Sequence, residues 1–158
     1  MRNAEHKGRS FRSTASFGKR QEYVVIAELL RRGFDVYQTL VDDRGIDCII
    51  RQEKEGNLRY LDLQIKARSK DCDPKNAGRF AAMDIVNPRS NYFFIFYSEH
   101  IDTYWVVPSE ELVQLAYMNR RGKNAGRYSI NFCKVKKDGT IIPNPEYDRY
   151  RNNFKLLE

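Results

Sequence analysis

Histidine is nearly absent: His6 and His100 are the only two in 158 residues. A histidine-rich metal centre has nothing to gather, and a Ser-His-Asp triad has little to build on. Cysteine is scarce as well. Cys48, Cys72 and Cys133 are odd in number, far apart and never in a Cys-x-x-Cys pair, which argues against a disulfide framework or zinc site and for reduced thiols. No apolar run approaches the length of a bilayer span, so no membrane partner is expected. A hydrophobic signal segment is missing from the first residues, and the expected location is the cytoplasm. Internal repeats and low-complexity tracts are missing too. The length suits one domain that buries its own core.

Positive charge is what the chain has in excess. Lysine and arginine number 28 against 21 aspartates and glutamates, a formal net charge of +7. Such an excess favours polyanionic partners, because neutralising phosphates releases counterions, although many basic proteins bind nothing anionic. Residues 1–16 read as a flexible basic arm carrying Arg2, Lys7, Arg9 and Arg12, either solvated or in contact with phosphates. Residues 17–142 hold the periodic elements of the domain. Residues 143–158 form a polar and aromatic tail to which the pattern assigns no element.

The periodicity predicts a helix over 17–32, capped by Ser16 and stopped by Gly33, with an interior (Tyr23-Val24-Val25-Ile26-Ala27) apolar on more than one side. A strand over 34–40 and a turn at Asp42-Asp43-Arg44-Gly45 follow. Runs 46–53 and 58–68 read as a hairpin closed by Lys54-Glu55-Gly56-Asn57. Residues 71–79 read as a loop and 91–98 as a strongly apolar, central strand. A further strand covers 103–107. Pro108 and Ser109 open a helix expected to end near Arg120, and 128–134 reads as a last strand. This order predicts an α/β domain, a mixed β-sheet flanked by helices.

The hairpin carries the chemistry. In its second strand Leu61, Leu63, Ile65 and Ala67 point one way, and Tyr60, Asp62, Gln64, Lys66 and Arg68 the other. In its first, Ile46, Cys48 and Ile50 alternate with Asp47, Ile49, Arg51 and Glu53. Turning both apolar sets to one core pairs Ile50 with Leu61, Cys48 with Leu63 and Ile46 with Ile65, and so sets Asp47 opposite Gln64. Directly opposed residues lie roughly 5 Å apart at Cα, close enough to share one cation. A one-residue slip would send Asp47 into the core at high desolvation cost. Glu22 shares a helical stripe with Ile26, Leu29 and Leu30, and a carboxylate prolonging a buried stripe needs a partner. Asp47, Glu22, the Gln64 amide oxygen and the Ile65 carbonyl are hard oxygen donors of the kind Mg2+ takes. Lys66, about 6.6 Å further along the same face, suits the orientation of an attacking water and the balancing of phosphorane-like charge. Each residue also has a plainer reading. Glu22 pairs with Lys19 as an exposed helix acid, Asp47 is a turn residue, and Gln64 and Lys66 belong to a solvent-facing stripe.

Gly18-Lys19-Arg20-Gln21-Glu22, then Gly45-Ile46-Asp47, then Gln64-Ile65-Lys66 resembles the PD-(D/E)XK nuclease superfamily. The series is similar to that of archaeal Holliday junction resolvases, many restriction enzymes and QxK-type homing endonucleases. It covers roughly residues 17–68. The resemblance implies a restriction-endonuclease-like fold, hydrolysis of DNA phosphodiesters with Mg2+ (Mn2+ as substitute), and a dimer or higher homo-oligomer. It implies Glu22, Asp47, Gln64 and Lys66 as the catalytic group. The third position departs from the pattern: Gln64 stands where most relatives carry Asp or Glu, which removes one negative charge and weakens metal binding.

Two basic clusters are expected at DNA. Lys70, Lys75 and Arg79 follow the second hairpin strand, and Arg120, Arg121, Lys123 and Arg127 sit in a loop with Gly and Asn; solvated surface is the alternative for both. Three functions remain open on the sequence: a metal-dependent DNA endonuclease, a DNA-binding module with a degenerate nuclease site, and a protein-interaction domain using Asn91–Tyr97 and Thr103–Val107 as interface strands.

Overall fold

The computed structural model describes residues 14–41 and 44–158. The basic arm up to residue 13 and Asp42-Asp43 of the expected turn lie outside the described residues.

Helix α1 (Thr14–Arg31) runs as expected, but Ser16 lies inside it rather than capping it. Its buried line is Gln21, Val25 and Leu29, one residue behind the expected stripe. Tyr23 and Leu30 are each 54% exposed, so the helix is buried along one side only. Strands β1 (Asp35–Gln38), β2 (Cys48–Lys54) and β3 (Asn57–Arg68) form an antiparallel meander. Glu55 and Gly56, both at positive φ, close the β2–β3 hairpin, as a tight turn matched to strand twist requires. The pairs Ile50–Leu61 and Cys48–Leu63 form in the expected register.

Past β3 the chain makes a short 3-10 turn (Pro74–Asn76) inside the expected loop, and then strand β4 (Arg79–Met83), in a stretch after that loop to which the sequence reading gave no element. Strand β5 (Tyr92–Ser98) then returns parallel to β3, and β6 (Thr103–Pro108) pairs antiparallel with β5. The main sheet has the order β1-β2-β3-β5-β6 and is mixed, with helices packed on it. All seven residues of β5 are buried, since it has neighbours on both edges and cover on both faces.

Helix α2 (Ser109–Leu115) stops five residues short of the expected end. Ala116 turns extended, and β7 (Tyr117–Met118) pairs with β8 (Tyr128–Asn131). Helical propensity in 116–120 yields there to sheet pairing. The expected last strand is two: β8 joins β4 and β7 in a three-stranded sheet, while β9 (Cys133–Val135) pairs with β10 (Ile141–Pro143).

The main sheet separates two cores. On one face Leu61, Leu63 and Ile65 of β3 pack with Val25 and Leu29 of α1. On the other, an aromatic cluster joins Phe94, Phe96 and Trp105 to Phe80 and Phe132, with Trp105 and Phe132 stacked at 5.0 Å. The segment after Pro143, without an assignable element in the sequence, closes both. Tyr147 and Tyr150 enter the aromatic core, and Phe154 and Leu157 the aliphatic one. Phe154 meets Tyr104 edge-on at 5.5 Å and lies under the Arg32 guanidinium at 3.9 Å. Phe154→Ala is expected to lower unfolding stability by about 3–5 kcal/mol, read as a reduced urea midpoint at unchanged slope; an unmoved midpoint would show the segment to be dispensable.

Candidate functional site

Strand β3 is where the site begins. Its apolar residues face α1, and Asp62, Gln64, Lys66 and Arg68 face the other way, as the alternation required. The β2–β3 ladder ends at the pair Cys48–Leu63, so the further pairs extrapolated from the sequence, Asp47–Gln64 and Ile46–Ile65, do not continue it. The strands part there, and Asp47 bridges the opening. Its backbone N–H donates to the Leu63 carbonyl at 2.8 Å, and its carboxylate Oδ2 accepts the Ile65 N–H at 2.6 Å. Such a short bond from a charged acceptor fixes the carboxylate where a ladder bond would otherwise stand. Asp47 is only 7% exposed, so this bond helps offset the cost of taking its charge out of water. Within a strand the N–H and C=O of one residue point to the same edge, so the Ile65 carbonyl faces the same opening. Ile46 does not enter the core but lines a cavity beside Gly45.

Gln64 is 9% exposed, and its amide oxygen accepts a hydrogen bond from the Tyr92 hydroxyl at 2.9 Å. Gly45 makes room for it. A Cβ at Gly45 would stand 2.9 Å from Gln64 Nε2, and Gly45 has φ +69°, a region L side chains rarely adopt. Glu22 comes from α1 with its side chain 16% exposed and ion-paired to Lys19. This is the pair of the plainer reading. The field of both Glu22 and Asp47 reaches Lys19, whose ammonium is held above its usual range first by the hydrogen bond to Glu22. The Cys48 thiol is pushed up to about 12, first by burial and then by the Asp47 and Glu22 carboxylates. Glu22 on α1 and Asp47 at the end of the β2–β3 pairing line neither of the cavities described below. Among the described residues no three His, Cys, Asp or Glu side chains gather as a metal cluster. The candidate set has two carboxylates, and its other donors are an amide and a backbone carbonyl.

Two cavities open on the polar face of β3. The smaller, about 280 Å3, is lined by Gln64, Lys66, Arg68 and the β4 segment from Phe80 to Asp84. The larger, about 820 Å3, is lined by Arg44, Gly45, Gln64, Asp84, Arg89 and Tyr92 among others. Gln64 and Asp84 border both, so one depression runs along β3 with Gln64 at its middle. Of the expected DNA-facing cations, Lys70, Lys75, Arg79, Arg120, Arg121, Lys123 and Arg127 are all exposed. Arg127 pairs with Asp84 at 3.3 Å, which ties the 120–127 loop to the rim. Arg79 begins β4, and its carbonyl accepts from Arg68 Nε. Lys70 and Lys75 lie on the crossover after β3 and line neither cavity.

Sequence reasoning missed Tyr92, Arg89, Asp84 and Arg44. The first two reach the site because β5 lies parallel to β3 with Tyr92 at the level of Asp62, and Asp62 binds Arg89. No local pattern announces that alignment.

These features define a nuclease-like α/β fold: a mixed sheet, a helix on one face, and a polar strand face open to solvent. The bacterial homing endonuclease I-Ssp6803I shares it, with a TM-score of 0.58 over 92% of this chain and 91% of its own, at 20% identity. D212, a nuclease from a fusselovirus, aligns over 94% of this chain and 92% of its own with a TM-score of 0.48 and 13% identity. No protein-family model and no curated protein sequence matches the chain. No helix among the described residues is long and apolar enough to cross a membrane.

Gly45→Ala tests the local geometry. The positive φ and the collision with the Gln64 amide together should cost about 1–3 kcal/mol, seen as a lower thermal midpoint. A variant as stable as the parent would show that Gln64 does not fill the space beside Gly45.

Proposed function

We propose that the chain is a metal-dependent DNA endonuclease of the PD-(D/E)XK kind, with Glu22, Asp47, Gln64 and Lys66 as its catalytic group. The observation that carries this reading is the Asp47 carboxylate, fixed by the Ile65 N–H where β2 and β3 part and flanked by Gln64 and Lys66 on β3. The fold shared with a homing endonuclease supports it.

The donors suit the chemistry. Asp47 and Glu22 supply charge, and the Gln64 amide oxygen and Ile65 carbonyl complete a set of hard oxygens fitted to Mg2+ or Mn2+. A carboxylate or amide oxygen has lone pairs for more than one partner. A bound ion would supply an acidified water and stabilise the departing oxygen. The protein's own work is positional. Asp47 and Glu22 approach from different elements, which fixes the place of attack. Lys66 brings an ammonium to the smaller cavity, where it orients the incoming water and balances the charge growing on phosphorus. Arg68 shares that cavity and adds positive potential. Arg79, Arg120, Arg121, Lys123 and Arg127, with Lys70 and Lys75 further out, engage backbone phosphates. Cutting both strands of a duplex calls for two such sites, hence a dimer or higher assembly.

Incubation with supercoiled and branched DNA plus Mg2+ or Mn2+ tests the assignment. Asp47→Ala and Lys66→Ala should each slow cleavage by at least about 100-fold while DNA binding in metal-free buffer changes little. Cleavage that persists in both variants would remove the assigned site. Binding should weaken steeply as salt rises; an affinity indifferent to salt would favour a protein-interaction domain.

Gln64 favours a second reading, a DNA-binding module with a degenerate nuclease site. Calorimetric titration with Mn2+ separates the two, since a degenerate site evolves no heat of oxygen-ligand binding. Gln64→Glu is expected to tighten Mn2+ binding and to lower the metal-free thermal midpoint, because it places a further carboxylate at a position only 9% exposed. Unchanged affinity would count against the charge argument.

A further inference from the structure

An amide side chain has two unlike ends, one accepting and one donating, whereas a carboxylate has two alike. Gln64 therefore needs something a glutamate would not: a group that decides which end faces which way. Tyr92 stands at that place. It is 2% exposed, opens β5, and donates its hydroxyl proton to Gln64 Oε1 at 2.9 Å, with the Gly45 carbonyl as a second acceptor at 3.4 Å.

The phenol is itself held. The Arg89 guanidinium lies over its ring, 4.5 Å from the centroid, and is anchored by its ion pair with Asp62. The Arg89 backbone is fixed from both sides by the buried Ser109, whose hydroxyl accepts from the Arg89 N–H and donates to the Arg89 carbonyl, each at 3.0 Å. Across the amide, the bare Gly45 Cα closes the space. Gln64 is thus confined between a fixed hydroxyl and a side-chain-free backbone.

We propose that Tyr92 is a positioning residue whose hydroxyl sets the orientation of the Gln64 amide, so that a neutral side chain serves as an oxygen donor at this position. The inference rests on the reading of Gln64 as a donor of the proposed metal site. It has a consequence that a merely structural tyrosine lacks: the hydroxyl matters when residue 64 is glutamine and loses its purpose when residue 64 is glutamate.

A double-mutant cycle measured by Mn2+ calorimetry tests this. Tyr92→Phe keeps the ring and removes only the hydroxyl. In the parent it should weaken Mn2+ binding about 10-fold, and in the Gln64→Glu background less than about twofold, the scale of a lost orienting partner. In metal-free protein the Gln64 side-chain NH2 resonances should shift on Tyr92→Phe. Equal losses in both backgrounds, or none in either, would overturn the positioning role while leaving the site intact. Mn2+ binding that survives Asp47→Ala, or is missing from the parent, would overturn the site itself and the role of Tyr92 with it.

Discussion

A single charged hydrogen bond, from the Ile65 N–H to the Asp47 carboxylate, organises the polar half of this molecule. Where β2 leaves β3, the N–H and C=O of Ile65 lose their ladder partner, and an unpaired backbone N–H in a buried setting is costly. The Asp47 side chain takes the place of the missing strand. It satisfies the N–H, ends the hairpin pairing at Cys48, and holds a negative charge beside a carbonyl turned to the same edge. The aspartate thus closes a structural gap and leaves a carboxylate at its edge.

Gln64 is neutral in a setting where a charge would be costly. Asp47 is 7% exposed and Gln64 9%. A charge at position 64 would be a second one largely taken out of water. A neutral amide supplies an oxygen without that penalty, but it must be oriented. The Tyr92 hydroxyl and the bare Gly45 meet at that one side chain, and the Arg89–Asp62 pair holds the Tyr92 ring.

The two cores support this arrangement differently. The aliphatic core fixes α1 against β2 and β3, and with them Glu22 and Asp47. The aromatic core fixes β5 and β4, and with them Tyr92 and the segment leading to Asp84. The C-terminal segment feeds residues into both cores, so it ties together the two faces of the main sheet. The positive-φ Ala82, in the irregularity where β4 shifts register against β8, lies in the wall of the smaller cavity opposite Lys66.

By itself the sequence determined what depends on local periodicity. Alternation in 46–53 and 58–68, with turn residues between, dictated the hairpin register from Lys54–Asn57 to Cys48–Leu63, but the pairing of Asp47 with Gln64 extrapolated from it is not made, because the strands part there. The amphipathic run after residue 16 dictated α1 and brought Glu22 to the sheet, although the burial line fell on Gln21, Val25 and Leu29 instead. Contacts between distant segments were decided only by tertiary structure. The parallel alignment of β3 with β5 spans a crossover of more than twenty residues, and pairing energy is insensitive to sequence at that range, so Tyr92 could not be assigned to Gln64 beforehand. The same holds for 116–120, where pairing with β8 overrode helical propensity, and for 144–158, whose spaced aromatics have no period because they fill gaps left by other elements. Side-chain alternation is a property of one strand and can be read there, whereas a partner across the fold is chosen by packing that exists only once the whole chain has closed.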